Sequence, residues 1–180
     1  MKFDLNKSIE ILQQTPSVLE KFLGKLSDEW IYSNEGKETW SPYDIVGHLI
    51  HGEKTDWMPR LQIILRTSDN KNFEPFDRFA QFTESKGKSL ELLLAEFRNL
   101  REKNLQTLKE LNIRPDQFSM EGIHPVFGRV TLAQLLATWT VHDCNHIAQI
   151  SRIMSFQYKE AVGPWIEFLA ILNWERKKSM

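Results

Sequence analysis

Apolar residues recur along this chain at helical spacing in four long stretches. The first runs from about Leu5 to Leu26, with Leu5, Ile9, Leu12, Val18, Leu19, Phe22 and Leu23 on its stripe. Pro16 interrupts it and predicts a break or kink near Gln14-Thr15. A polar connection, 27–39, leads to Trp40. The second stretch opens on strong start signals: Ser41 as cap, Pro42 in the first turn and Asp44 at the capping-box position. It passes Ile45, Val46, His48, Leu49, Gly52 and Trp57, and Pro59 predicts a kink before its end near Thr67. The third spans about 89–112, with Leu90, Leu93, Leu94, Phe97, Leu100, Leu105 and Leu108 inward. Glu91, Glu96, Arg98, Arg101, Glu102 and Lys103 form its predicted solvated face. The fourth starts at another capping box, Thr131 with Gln134, and carries Leu132, Leu135, Leu136, Trp139, His142, Ile147, Ile150 and Ile153 to about Phe156.

A short fifth helix is expected after Gly163-Pro164, from Trp165 to about Lys177. The loop 114–129 holds Pro115, Gly122, Pro125 and Gly128, with Phe118-Ser119-Met120 as a short extended piece. The segment 68–87 carries Phe73, Phe76, Phe79 and Phe82. So many aromatic residues predict packing over one end of the core, at the mouth of a site. Neither strand alternation nor a glycine-rich phosphate loop is evident. The expected fold is all-α: a four-helix bundle with an additional short C-terminal helix, one domain over 1–180.

Composition narrows the function. Hydrophobic residues make up 41% and charged residues 26%, and the formal net charge is −1 from 23 basic and 24 acidic residues. That balance argues against nucleic acid as a partner; the one dense basic run, Arg176-Lys177-Lys178, reads as a solvated helix end. No stretch approaches the ~20 apolar residues of a membrane span. A single cysteine, Cys144, and an N-terminus without a signal-like apolar run lead us to expect a cytoplasmic protein.

The candidate chemistry lies in histidines. His142 and His146 are four residues apart, so on a helix they sit ~40° and ~6 Å from each other and can reach one ion. His48, among Ile45, Val46, Leu49 and Ile50, faces inward from another helix. Three neutral imidazoles with an open position describe a reactive metal centre rather than a purely structural one. Zinc suits such donors, as do nickel, copper and iron.

The surrounding residues read as follows. Gln149 lies near the same face as His146 and can bond a metal-bound water or a substrate. His51 is a fourth ligand, an acid–base group or a pocket wall, the last being favoured by its angular offset. His124, beside Pro125 in a loop, reads as structural, with a site mouth within its reach. Glu53 and Asp56 are the nearest carboxylates, each more often a solvated helix residue than a base. Asp143 projects ~100° from the histidine pair and is expected in outer hydrogen bonding or on the surface. Cys144 reads as a small helix-packing residue. Trp40, Trp57, Trp139, Trp165 and Trp174 fall mostly on helix stripes; Trp30 is looser.

Trp40-Ser41-x-x-Asp44-x-x-x-His48-Leu49, followed some ninety residues later by His142-Asp143-x-x-His146-x-x-Gln149, resembles the DinB-like superfamily over essentially the whole chain. That resemblance implies a four-helix bundle, often a homodimer, binding a divalent metal such as nickel or zinc through positions matching His48, His142 and His146. Gln149 matches a frequent companion position. Some relatives are thiol transferases using bacillithiol or mycothiol, and one branch includes a mycothiol-dependent isomerase. A small-molecule substrate, with a low-molecular-weight thiol as co-substrate, follows as the leading expectation. A metal-dependent hydrolase and a non-catalytic metal or small-ligand binder are the alternatives. The catalytic candidates are Gln149 and His51.

Overall fold

Four helices carry the architecture, and each starts or stops for a local reason. The computed structural model describes residues 2–173. Helix α1 spans Leu5–Leu23, capped by Asp4, whose Oδ1 accepts the Asn6 and Lys7 amides. A short helix α2, Asp28–Tyr32, occupies what the sequence suggested was a plain polar connection and buries Ile31. Helix α3, Pro42–Thr55, begins on the Ser41–Asp44 capping box, and α4, Trp57–Leu65, continues it after a break at Asp56. The break lies just N-terminal to Pro59, whose ring crowds the carbonyl four residues back and offers it no N–H. Helix α5 is the single turn Ala80–Glu84; α6 is Leu90–Glu110, capped by Ser89; α7 is Leu132–Gln157, capped by the Thr131–Gln134 box. Helix α6 touches α1 and α3, and α7 touches the same two, which closes the four-helix bundle. Among the described residues no helix is long and apolar enough to cross a membrane.

Three sequence expectations are corrected. Helix α1 runs through Pro16 without a break. The carbonyl that Pro16 cannot bond, that of Leu12, instead accepts Arg101 Nη1–H at 2.9 Å, so the usual cost of an internal proline is reduced. The loop 114–129 contains a hairpin: β1, Glu121–His124, pairs antiparallel with β2, Gly128–Thr131. Its three-residue turn closes on Gly128 at φ 71, a left-handed conformation that glycine adopts without strain. Phe118 and Ser119 end a 3-10 turn, Pro115–Ser119, and Met120 follows it in extended conformation outside either strand. The tail after Gly163 makes two 3-10 turns, Gly163–Phe168 and Ala170–Leu172, and not an α-helix from Trp165; Trp165 itself is 72% exposed. Trp174 and the basic run 176–178 lie outside the described residues.

The hairpin is tied to the Phe-rich segment. Phe73 N–H donates to the Ile123 carbonyl and Ile123 N–H to that of Lys71, both at 2.9 Å. This seats the buried Phe73 ring on Gly122, where a Cβ would come within 2.4 Å of it. Gly122→Ala should therefore destabilise the fold by about 1–3 kcal/mol through overpacking, read as a lowered denaturation midpoint.

The core is split. One apolar cluster gathers Leu12, Trp57, Leu61, Ile64, Leu105, Leu136 and Trp139; the other gathers Leu19, Leu23, Ile45, Leu49, Leu93, Phe97, Ile150 and Ile153. Between them, at the middle of the bundle, lies a polar layer.

Candidate metal centre

The polar layer is built by residues at positions where each helix stripe would otherwise carry an apolar side chain. Arg101 of α6 is 1% exposed, not on a solvated face. Glu53 of α3 and Asp143 of α7 are equally buried. Arg101 Nε–H and Nη2–H donate to Glu53 Oε1 at 3.1 and 2.8 Å. Nη1–H and Nη2–H donate to Asp143 Oδ2 and Oδ1 at 2.5 and 3.0 Å, and Nη1–H also reaches the Leu12 carbonyl. All five guanidinium protons are thus used. Trp139 Nε1–H donates to Glu53 Oε1 and Asn104 to Glu53 Oε2. Burial alone would lower the Arg101 pKa, but the two carboxylates outweigh it and raise it, so the side chain is held as a cation. Glu53 is therefore no solvated residue and no free base, and Asp143 is an internal strut. Both lie on the bundle side of the histidines and fix α3 and α7 against each other.

That bracing brings three imidazoles together. His142 Nε2 lies 3.1 Å from both His48 Nε2 and His146 Nε2, and all three ligand atoms fall within 4.8 Å of one another. His48 and His146 are buried and His142 half-buried. Burial pushes the His48 pKa down to about 3, with His146, His51 and Arg78 adding to the effect. Burial and the neighbouring His146, His48 and Arg101 push His142 down to about 2. His146 is lowered by burial too, against the pull of Gln149 and Asp143. The three rings are neutral, the form in which imidazole donates a lone pair.

Their tautomers fit a shared cation better than one another. His146 Nδ1–H donates to Gln149 Oε1 at 2.9 Å, which leaves Nε2 bare and aimed at His142. A single proton on His142 Nε2 cannot point along both 3.1 Å contacts. Without it, two lone pairs face each other at His146. Nitrogens 3.1 Å apart have the separation that neighbouring ligands keep around an ion ~2.1 Å from each. The donor set suits a divalent first-row metal.

Aromatic rings pack around the triad. Trp40 lies 4.9 Å from the His48 ring and stacks on His146 at 6.4 Å. Phe76 meets His48 edge-on at 5.4 Å and Trp57 meets His142 edge-on at 5.1 Å. The histidines open into a cavity of about 810 Å³ whose walls include Trp40, Trp57, Phe73, Phe76 and the hairpin residues His124 and Phe127. Phe73, Pro75, Phe76 and Arg78 of the Phe-rich segment therefore line the cavity, while Phe79 is exposed.

The remaining candidates divide. Gln149 and His124 line the cavity. His51 is buried but turned away, with Nδ1 at 3.0 Å from Glu84 Oε1, and it is not one of the cavity walls. Asp56 is a wall residue, paired through Oδ1 with Arg60 Nε at 2.5 Å; burial raises its pKa against that pairing. Cys144 is exposed rather than buried in a helix contact.

No curated protein matches the chain in sequence. Two of the solved structures that share its fold are YfiT and TT2238. YfiT, from Bacillus subtilis, is described as a probable metal-dependent hydrolase with an unusual four-helix bundle topology. It is 20% identical, with 85% of this chain and 86% of that one covered and a TM-score of 0.71. TT2238 is described as a four-helix bundle protein. It is 16% identical, with 82% and 98% covered and a TM-score of 0.55. At these identities the likeness establishes the fold. The sequence pattern of the DinB superfamily, however, matches residues 11–150, from the first helix through the histidine pair on α7, and on that match this chain belongs to the DinB superfamily.

Proposed function

We propose that the chain is a metal-dependent enzyme whose divalent ion, zinc or nickel, is held by His48, His142 and His146. It hydrolyses a small-molecule substrate received in the aromatic cavity. The observation that carries this reading is the convergence of three neutral imidazole Nε2 atoms beside that cavity. YfiT's description as a probable metal-dependent hydrolase supports the choice of reaction. When bound, such an ion supplies Lewis acidity and lowers the pKa of a bound water or thiol.

The chain's own residues do the rest. Gln149 fixes the tautomer and ring orientation of His146. Trp40, Trp57 and Phe76 exclude bulk water and receive the apolar part of the substrate. Asp56, the one carboxylate among the described wall residues, is the acid–base candidate, and its raised pKa suits that task.

Thiol transfer with bacillithiol or a related thiol is the second reading. Among the described residues no carboxylate bonds to the three imidazoles, which favours a nucleophile that ionises readily at the ion over one needing a base beside it. Homodimer formation and a cytoplasmic setting belong to the same proposal.

Protein purified without a histidine tag should contain about one divalent ion per chain, by elemental analysis. Loaded with zinc or nickel, it should hydrolyse members of an ester and amide panel, and His142→Ala should lower the rate more than about a hundredfold. Conjugation of bacillithiol to an electrophile, without hydrolysis, would replace the first reading by the second. Metal binding without either turnover would leave a non-catalytic binder, and clearly substoichiometric metal would end all three.

A further inference from the structure

The cavity extends from the histidines to the β-hairpin, and that far end has chemistry of its own. Arg60 is 8% exposed, yet its guanidinium is not fully used. Nε faces Asp56, Nη2–H donates weakly to the Glu74 carbonyl at 3.4 Å, and the group lies 5.2 Å over the Phe73 ring. Nη1 makes no hydrogen bond to any described residue. This contrasts with Arg101, which spends every proton inside the bundle.

His124 stands on the same Phe73 ring, edge-on at 6.4 Å. The Val126 and Phe127 amides donate to its Nδ1 at 3.1 and 3.2 Å. The Nδ1 lone pair is thus occupied, and the neutral ring carries its proton on Nε2. Both residues line the cavity, and both offer N–H groups where an acceptor is wanted. With neutral histidines, the described wall carries Arg60 and Arg78 against Asp56 alone, a formal charge of +1 before any ion is added.

We propose that Arg60 and His124 form an anion subsite at the hairpin end of the cavity, taking the carboxylate or phosphate of a substrate whose apolar body lies along Trp57 and Phe76. Arginine suits such a group because its N–H donors match paired oxygens. The inference deepens the reading given under Proposed function only in placing the reacting bond at the histidines. The subsite itself needs no ion.

The test uses EDTA-treated protein, so that no probe can bind an ion directly. Phenylbutyrate, phenylpropyl phosphate and phenylbutyramide are titrated by calorimetry. At least one anion should bind about tenfold or more tightly than the amide, and which anion does so identifies the group. Arg60→Gln should abolish the preference, and Arg78→Gln should leave it. Because Arg60→Gln strands Asp56, the double variant Arg60→Gln/Asp56→Asn is measured beside it and should lose the preference equally. His124→Phe, which keeps a ring beside Phe127 but removes the N–H, should weaken anion binding severalfold. Equal binding of anions and amide to the wild type, or a preference surviving in both Arg60 variants, overturns the subsite. Either result concerns anion binding to the metal-free protein, whereas metal content and hydrolysis are read on the wild type, so the two readings fail separately.

Discussion

Arg101→Met should destabilise the fold by about 3–5 kcal/mol, the cost of removing one member of a buried ionic cluster. For a chain of this size that corresponds to a drop in melting temperature of about 10 °C or more. The reason lies in what is left behind. Glu53 and Asp143 would face each other across the centre of the bundle with no cation between them, and the Leu12 carbonyl would lose the donor that replaces the one missing at Pro16. Two uncompensated buried carboxylates would take up protons, so the deficit should shrink as the pH falls from 8 to 5. Adding Glu53→Gln and Asp143→Asn to Arg101→Met should recover part of the loss, since the penalty belongs to stranded charge rather than to lost attraction. Urea denaturation with an unchanged m-value measures it. A midpoint for Arg101→Met within about 1 kcal/mol of wild type would show that the cluster does not brace the bundle.

This cluster is also where the sequence was hardest to interpret. Ser41 with Asp44 and Thr131 with Gln134 form the capping boxes expected of them, because a cap depends on residues three apart and on nothing distant. The histidine convergence was equally legible: helical spacing sets two rings, and an inward-facing stripe sets the third. Residue type alone places Arg101 in solvent. Its position says otherwise, four residues after Phe97 and four before Leu105, both buried. Asp143 falls in the same way between Trp139 and His146 on one face, and Glu53 between Ile50 and Trp57. A charged residue filling a gap in an apolar stripe is the signal, but each needs partners on other helices, and one chain cannot name them. The hairpin escaped for a different reason. Its four-residue strands alternate too briefly to register, and its turn, Pro125-Val126-Phe127, is apolar.

His142→Ala should abolish stabilisation by metal, the largest functional effect expected here. A ligand that binds only the folded state at a thousand times its Kd adds about 4 kcal/mol, so zinc or nickel should raise the wild-type melting temperature by roughly 10 °C or more. The variant keeps two donors and should show almost no shift, while its metal-free stability changes little. The acid dependence checks the same site without any assay of turnover. His48 and His142 titrate near 3 and 2 in the folded chain and near 6.5 when unfolded. Between those values the unfolded chain binds more protons, so metal-free stability is complete above about pH 6.5 and is lost as the pH falls toward 3. Bound metal should delay that loss, because the ion and the protons compete for the same lone pairs. Removing His142 takes away one of the depressed groups and relieves the other, so the metal-free variant should lose stability less steeply over that range. An identical metal-induced shift in wild type and variant would mean that the imidazoles at 48, 142 and 146 pack together without forming a site, and identical acid slopes would mean that burial does not hold them neutral.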